Sequence, residues 1–424
     1  MSGPDNKPVT TPIPTPVPTP AQPTAEQKLD KIIKDFGDAN KTATNNPGDD
    51  LAKVLDASPD LKKRILDSVD QGYLTRFQAL PANSGTGGSY DPTAKAINVP
   101  MDVLKQADKS TYDKGELIFV MGHEIQHSFN AAATSKTTQD FLDGAGNLAQ
   151  SKASPHDYTK LTGDFIDASR KDEASAHIGG FNAIASQARK NNPQATLEDI
   201  FDTAPGRMRD FITVGGTPPN NTYTMKPGLT LNADMSMPYS PDNIASMGKY
   251  YFDKPASESQ LGSRGNLDYT NFYGSWAVGV VGNNEKVYQD FYQKNDNKYV
   301  VPEVQFDMKK LGLQQDLVTQ NVKFSDNKAF SYVDISDGKK QASTFDPNAP
   351  PAPKPPANPV TSLAQAKEAR PELPEGTAAK ADAKTESPLS SVSRISLLTG
   401  DNTPSSRLLA SLPETPRAEQ AKPR

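Results

Sequence analysis

The spacing of apolar residues predicts two long helices in the middle of the chain. From 113 to 133 the apolar positions recur at steps of three and four, and the stretch 158–190 repeats this pattern. Steps of this size place side chains on one face of an α-helix. Shorter segments at 25–37 and 59–70 are also amphipathic. The pattern therefore predicts a small helical pair followed by two long helices.

Alternation of apolar and polar residues predicts short strands. The segment GTGGSYDPTAKAINVP at 85–100 contains a glycine-rich stretch and an Asp-Pro turn signal, which favour a hairpin that ends in a strand at 93–99. Strand-like pieces are also expected in KYVVPEVQF (298–306) and AFSYVDI (329–335). The remaining expectations are a third helix within 194–213, long Gly-, Pro- and Asn-rich loops at 214–265, an aromatic cluster at 267–281 and a helix at 284–293.

Composition separates a folded part from two proline-rich ends. Residues 4–23 contain eight prolines, and the segment from 347 onwards is again rich in proline. Proline fixes φ and removes backbone donors, so such segments favour extended polyproline II over a packed core. We expect disordered ends at 1–25 and 346–424, and one folded domain at 26–345 with a helical N-terminal part and an aromatic C-terminal part.

Charge and residue usage narrow the classes of partner and cofactor. The net charge is −5 with no long basic run, which gives a nucleic-acid function no support. No apolar stretch approaches the roughly 18 residues of a membrane span. The chain has no cysteine, so any metal must be held by His, Asp or Glu. A cysteine-free chain suits an oxidising compartment and equally a reduced cytosol.

The motif His123-Glu124-Ile125-Gln126-His127 carries the strongest chemical signal. Residues four apart lie one turn above each other on a helix, so the two imidazoles can bind one metal ion. Zinc accepts neutral imidazole nitrogen and tolerates a tetrahedral site with one position left to water. Glu124 follows the first histidine and points beside the metal, where its carboxylate can act as a general base. Only four histidines occur in the chain, which makes a chance match rare.

Two further residues near the motif have open interpretations. Glu116 lies seven residues before His123 and shares its helix face, so it could accept the second ring N–H of a ligand histidine. It could equally be a solvated first-turn residue that the helix dipole favours. His156 lies in the segment SPHDYT, and we expect an ordinary surface histidine there.

A strand followed by this helical motif resembles the zincin superfamily of metallopeptidases, over about residues 90–190. The metzincin extension is absent, because Gly and His do not follow His127 at the required spacing. In the Glu-type zincins, or gluzincins, a carboxylate from a second helix completes the zinc site. The resemblance implies Glu173 as the third ligand, with His177 and Asp172 as alternatives. Thermolysin-like chains carry Asp four residues after that glutamate, whereas this chain carries His177, which could instead support the site by a hydrogen bond.

The resemblance also implies a fold and a substrate class. It predicts an α+β domain whose active-site helix packs beneath a small twisted sheet, with the strand at 93–99 as the edge strand that binds extended substrate. Zincins often stabilise the oxyanion with a Tyr or His, and Tyr269 and Tyr273 are the candidates here. The implied reaction is cleavage of a peptide or amide bond with one zinc ion.

A second resemblance, in the composition of the whole chain, concerns where the protein acts. A cysteine-free chain without a conventional signal peptide, with a proline-rich arm and tail, resembles bacterial effectors and toxins exported by specialised secretion systems. This implies a protein, peptide or peptidoglycan-peptide substrate and a tail that contacts the export machinery; otherwise the chain is cytoplasmic. Two other functions stay open: a non-catalytic zinc-stabilised protein that recognises a host or cell-wall partner, and a metal-free scaffold that docks through its proline-rich segments.

Overall fold

The protein is described by a computed structural model that covers residues 22–80, 87–259, 261–262 and 265–349. The expected disordered ends lie almost wholly outside these residues. The described part begins with α1 (Ala25–Asn40), which starts at a capping box in which Thr24 and Gln27 exchange side-chain to backbone hydrogen bonds. Both amphipathic helices predicted near the N-terminus are present, and α1 extends three residues beyond the predicted segment.

Three helices form the N-terminal layer. α1 packs on α2 (Pro47–Ala57) and α3 (Pro59–Asp70), and each of the latter two starts with a proline, which is well suited to the first helical turn. Leu51, Leu55 and Ile65 are fully buried between these helices and the rest of the domain. The helix α2 was not expected from the sequence.

A small mixed sheet follows this layer. It consists of β1 (Arg76–Ala79), β2 (Ser89–Asp91) and β3 (Ala96–Val99), in the order β1-β3-β2, with β1 parallel and β2 antiparallel to β3. The predicted hairpin and its strand are therefore present. The expectation that this strand is the sheet edge is wrong, because β1 pairs with its other side. The edge strand that contacts the HExxH motif is β2, through Tyr90 and Glu124.

Two long helices form the centre of the domain. After α4 (Met101–Gln106), helix α5 (Thr111–Gln150) carries the HExxH motif and packs lengthwise on α6 (Thr159–Asn191). The helices approach closely at Gly122 and Gly179, where a Cβ on Gly122 would lie 2.6 Å from the carbonyl oxygen of Gly179. Only glycine allows this distance, so the crossing brings the backbone beside His123 against the middle of α6.

The region 214–265 contains several regular elements, so the prediction of long loops is wrong for most of it, although residues 226–240 carry no helix or strand. The elements between 197 and 259 are α7 (Leu197–Thr203), α8 (Pro205–Met208), the antiparallel hairpin of β5 (Ile212–Thr217) and β6 (Asn220–Met225), α9 (Pro241–Met247), a π-helical turn at Gly248–Phe252, and α10 (Ala256–Ser259). Most residues of the hairpin are exposed, so its strands lack the apolar alternation by which a half-buried strand is recognised.

The C-terminal part combines one long helix with a second sheet. Helix α11 (Tyr269–Asn295) begins fifteen residues before the predicted segment 284–293 and runs along α5 and α6. The strands of the second sheet are β4 (His156–Asp157), β7 (Val304–Phe306), β8 (Phe330–Asp334) and β9 (Gln341–Phe345), in the order β4-β7-β8-β9. Both strand-like pieces predicted from the sequence belong to it. Between these strands lie α12 (Met308–Leu311), α13 (Gln315–Asn321) and a 3₁₀ turn at Ser336–Gly338.

The fold is therefore of the α+β class, as expected. Among the described residues, no helix is both long enough and apolar enough to cross a bilayer.

Candidate metal centre

Two imidazoles of α5 converge in the interior of the domain. The Nε2 atoms of His123 and His127 lie 3.1 Å apart, and neither side chain is exposed. The ring Nδ1 of His127 faces a carboxylate oxygen of Asp172 at 3.3 Å, so the proton belongs on Nδ1 and the lone pair on Nε2. Nε2 of His123 can donate a proton to this lone pair, or present a second lone pair and share a cation with it.

Helix α6 adds a carboxylate to this pair. The Oε2 atom of Glu173 lies 3.5 Å from Nε2 of His123 and has no hydrogen-bond partner among the described residues, although Glu173 is only 1% exposed. One atom from each of the three side chains lies within 4.8 Å of the other two. Bonds of about 2.0–2.1 Å at tetrahedral angles would separate ligand atoms by roughly 3.3 Å. The cluster could therefore hold a metal ion.

Glu124 lies beside this cluster and is fixed by the edge strand. The backbone N–H of Tyr90, in β2, donates to Oε2 of Glu124 at 2.9 Å. A Cβ on Gly88 would collide with the side chain of Val120, so only glycine lets the chain enter β2 this close to α5. The sheet thus holds Glu124 next to the two histidines but outside the group of converging ligand atoms.

Asp172 and Asn130 orient His127. Asp172 was one alternative for the third ligand. It lies at Nδ1 of His127, away from the converging Nε2 atoms, and so orients this histidine by a hydrogen bond. Asn130 donates to the same carboxylate at 2.8 Å and to the hydroxyl of Ser175. Asn130 was missed in the sequence, although it follows His127 by three residues on the same helix face and could have been found from that spacing.

His177, the other alternative ligand, belongs to a separate buried pair. Its Nε2 donates to Oδ2 of Asp210 at 2.9 Å, and its ring is stacked between Phe211 and Tyr251 at centroid distances of 4.9 and 3.7 Å. Burial lowers the pKa of His177 to about 3, against the opposing effect of Asp210. The imidazole is therefore neutral at physiological pH. It does not belong to the converging group, and its ring meets the His123 ring edge-on at 5.8 Å.

Glu116 does not support a ligand histidine. Its carboxylate accepts from Nε of Arg207 at 2.8 Å, and both side chains are largely buried. The proximity of Glu116 raises the pKa of Arg207 although burial acts in the opposite direction. Both predicted roles of Glu116 are therefore wrong, because its side chain is buried and is paired with an arginine, not with a histidine. It fixes α8 to the start of α5.

The two tyrosines predicted as oxyanion donors lie on the first turns of α11, and both are buried. The hydroxyl of Tyr273 donates to Oε1 of Glu173 at 2.8 Å. The hydroxyl of Tyr269 shares a hydrogen bond with that of Tyr251, whose ring lies 6.0 Å from the His123 ring. Burial, Tyr269 and Glu173 raise the pKa of Tyr251 well above its usual value. Tyr251 lies in the π-helical turn, within the region expected to be loop, which is why it was missed.

His156 is fully buried, so the expectation of a surface histidine is wrong. Its Nδ1 lies 2.6 Å from Oε1 of Glu285, and the hydroxyl of Tyr158 donates to the same oxygen at 2.5 Å. The partner comes from α11, 129 residues later in the chain. No local pattern in the segment SPHDYT could have indicated that partner.

No family model, no curated protein and no solved structure matches this chain.

Proposed function

We propose that this chain is a zinc-dependent hydrolase with a gluzincin arrangement, and that it cleaves peptide or amide bonds. The observation that carries the proposal is the convergence of His123, His127 and Glu173 next to Glu124. Two imidazoles and a carboxylate are the ligand set of several catalytic zinc sites. When bound, zinc would supply Lewis-acid chemistry, by acidifying water and polarising a carbonyl.

Glu124 is the proposed proton carrier. The amide of Tyr90 donates to one of its oxygens, which fixes the orientation of the carboxylate. The carboxylate takes a proton from the attacking water and delivers it to the leaving nitrogen. Its attachment to β2 keeps it on the sheet side of the site.

The edge strand β2 is the proposed docking site for substrate. Its partner within the described sheet is β3, on one side only. An extended peptide that adds to the other side through backbone hydrogen bonds would have to displace Glu124 from the N–H of Tyr90, and its carbonyl groups would then pass this carboxylate. Tyr273 is bonded to Glu173, so the hydroxyl pair of Tyr269 and Tyr251 is the better source of an oxyanion donor.

The proposed setting is export as a bacterial effector or toxin. A host protein, a peptide or the peptide part of peptidoglycan would then be the substrate, and the proline-rich tail would contact the secretion system. This part of the proposal depends on composition and on the likeness to such proteins.

The proposal is tested by separating zinc binding from hydrolysis. Purified protein is analysed for zinc and incubated with a peptide library and a muropeptide library. We expect one zinc per chain and cleavage in the wild type, retained zinc without cleavage in Glu124→Gln, and loss of both in His123→Ala. Full activity of Glu124→Gln would refute the role of Glu124, and wild-type protein without bound zinc would refute the site.

One observation favours a second candidate, a non-catalytic zinc-stabilised binding protein. His123, Glu124 and His127 are 0% exposed and Glu173 is 1% exposed, and structural zinc sites are closed to solvent. Cobalt-substituted protein distinguishes the two functions. A hydroxamate that changes the visible spectrum of bound cobalt supports an open coordination position, whereas an unchanged spectrum at saturating hydroxamate supports the structural site.

A further inference from the structure

The two oxygens of Glu173 have different surroundings. Oε1 accepts a hydrogen bond of 2.8 Å from the hydroxyl of Tyr273. Oε2 is 3.5 Å from Nε2 of His123 and has no hydrogen-bond partner among the described residues. A buried carboxylate oxygen without a donor is costly, and a cation at the converging ligand atoms would remove that cost. The arrangement therefore assigns one oxygen to a hydrogen bond and the other to a metal.

We propose that Tyr273 is a positioning residue that keeps Glu173 monodentate toward the metal. The inference rests on the proposed zinc site and adds the residue that determines how its third ligand binds. With Oε1 held by the hydroxyl, the chain supplies three ligand atoms and leaves one tetrahedral position for solvent or substrate. Without that hydroxyl, both oxygens could approach the ion and fill the additional position.

The ring of Tyr273 is fixed well enough to hold the carboxylate. It is 4% exposed, stacks on Phe252 at a centroid distance of 5.8 Å and meets Phe165 of α6 edge-on at 6.1 Å. The first turn of α11 is capped by Asp268, which accepts from the backbone N–H of Asn271 at 2.7 Å. The hydroxyl therefore reaches Glu173 from a helix other than the two that carry the ligands.

The chemical nature of the donor supports the same role. Among the described contacts of Glu173, the donor to Oε1 is a neutral phenol, and no Lys or Arg forms an ion pair with this carboxylate. A phenol orients a carboxylate while leaving its negative charge for the ion, whereas a guanidinium or an ammonium would compete with the metal for that charge. Hydrogen bonds to ligand atoms commonly change metal affinity by 10–100-fold.

The experiment compares Tyr273→Phe with Tyr158→Phe. The control is matched, since Tyr158 is also buried and also donates to a glutamate, Glu285, but that glutamate lies outside the metal site. Zinc affinity is measured by competition with a chelator, and coordination is followed by the visible spectrum of bound cobalt. We expect Tyr273→Phe to weaken zinc about 10–100-fold and to lower the intensity of the cobalt bands as the coordination number rises. Tyr158→Phe should change neither.

A double variant tests whether the loss of zinc affinity in Tyr273→Phe depends on Glu173. In a Glu173→Gln background, Tyr273→Phe should cause little further loss of zinc affinity. An equal loss in both backgrounds would overturn the proposal, as would unchanged affinity and an unchanged cobalt spectrum in Tyr273→Phe itself. Wild-type protein that binds neither zinc nor cobalt would instead refute the zinc site on which the proposal rests.

A measurement on the wild type decides the question if Tyr273→Phe does not fold. X-ray absorption of the zinc-loaded wild-type protein reports the number of light-atom ligands and their distances. Four ligands at about 2.0–2.1 Å support the monodentate carboxylate. A fifth oxygen at a longer distance would show that both oxygens of Glu173 bind and would overturn the role of Tyr273.

Discussion

Two buried clusters of this protein use the same kinds of residue in different ways. Each contains histidine, a glutamate and a tyrosine whose hydroxyl donates to that glutamate. In the cluster around Glu285, the imidazole of His156 bonds directly to the carboxylate at 2.6 Å. In the cluster around Glu173, the nearest imidazole nitrogen is 3.5 Å away, and a second imidazole approaches the first at 3.1 Å. Both carboxylate oxygens of the first cluster have donors, and we call this cluster closed for that reason, although Nε2 of His156 has no hydrogen-bond partner among the described residues. The second cluster has a carboxylate oxygen without a donor.

The difference shows what distinguishes a candidate metal site from an internal hydrogen-bonded cluster. Oε1 of Glu285 has two donors, and its Oε2 accepts from Gln289 at 3.3 Å. Both oxygens of this carboxylate therefore have hydrogen-bond donors within the protein. Oε2 of Glu173 has no hydrogen-bond partner among the described residues, and an unpaired polar atom in a protein interior lowers stability. The metal-free site therefore stores an unfavourable free energy that a bound cation would release.

The largest effect is expected from breaking the closed cluster. Glu285→Ala removes the acceptor that His156 and Tyr158 share, and a buried polar group left without its partner typically costs about 1–3 kcal/mol. Glu173→Ala should cost less in the metal-free protein, because it also removes a carboxylate oxygen that lacks a partner. The free energy of unfolding of each variant is measured by chemical denaturation in the presence of a chelator.

Glu285→Ala and Glu173→Ala serve as experimental controls for each other. Both truncate a buried glutamate to alanine, so the cavity left behind is similar and the difference reports the pairing. A Glu173→Ala variant that is as unstable as Glu285→Ala without metal would contradict the distinction between an open and a closed cluster.

A smaller effect is expected from adding zinc. A ligand that binds only the folded state stabilises it by about 2.7 kcal/mol at a concentration 100 times its dissociation constant. We therefore expect zinc to raise the melting temperature of the wild type and of a folded variant in the closed cluster, His156→Gln. His123→Ala should show no such increase. Equal increases in His123→Ala and His156→Gln, followed by differential scanning calorimetry, would show that zinc acts elsewhere.

The helices that carry the site could be predicted because their pattern is local. The apolar spacing indicated α5 and α6, and the motif placed His123, Glu124 and His127 on one of them. The end of α5 was missed because residues 134–150 are mostly polar, although Phe141 and Ala145 pack this segment into the core. The start of α11 was missed for a related reason. Its glycines weaken the helical signal, yet a Cβ on Gly274 or Gly282 would collide with Leu313 or Phe324.

The contacts that support the site could not be predicted because they join distant parts of the chain. Tyr273 meets Glu173 across 100 residues, and His156 meets Glu285 across 129. Neither pairing has a periodic signature in the sequence. Glu173 was predicted from the gluzincin resemblance, and it lies with the two histidines, whereas Asp172 meets the far ring nitrogen of His127 and His177 pairs with Asp210.

The smallest effect is expected from changing the residue that orients His127. Asp172→Asn keeps the size of the side chain and a carbonyl oxygen that can still accept from Nδ1, but it removes the charge that makes the imidazole a stronger ligand. We expect zinc affinity to fall about 10-fold, at the lower end of the range for such changes, with little change in the free energy of unfolding of the metal-free protein.

Chelator competition measures the affinity, with Asp167→Asn as a matched control because Asp167 lies on α6 in an exposed ion pair with Lys171. Equal affinities in the two variants would mean that the backbone of α5 alone fixes His127, and the contrast between the candidate metal site and the closed cluster would then rest on Glu173 alone.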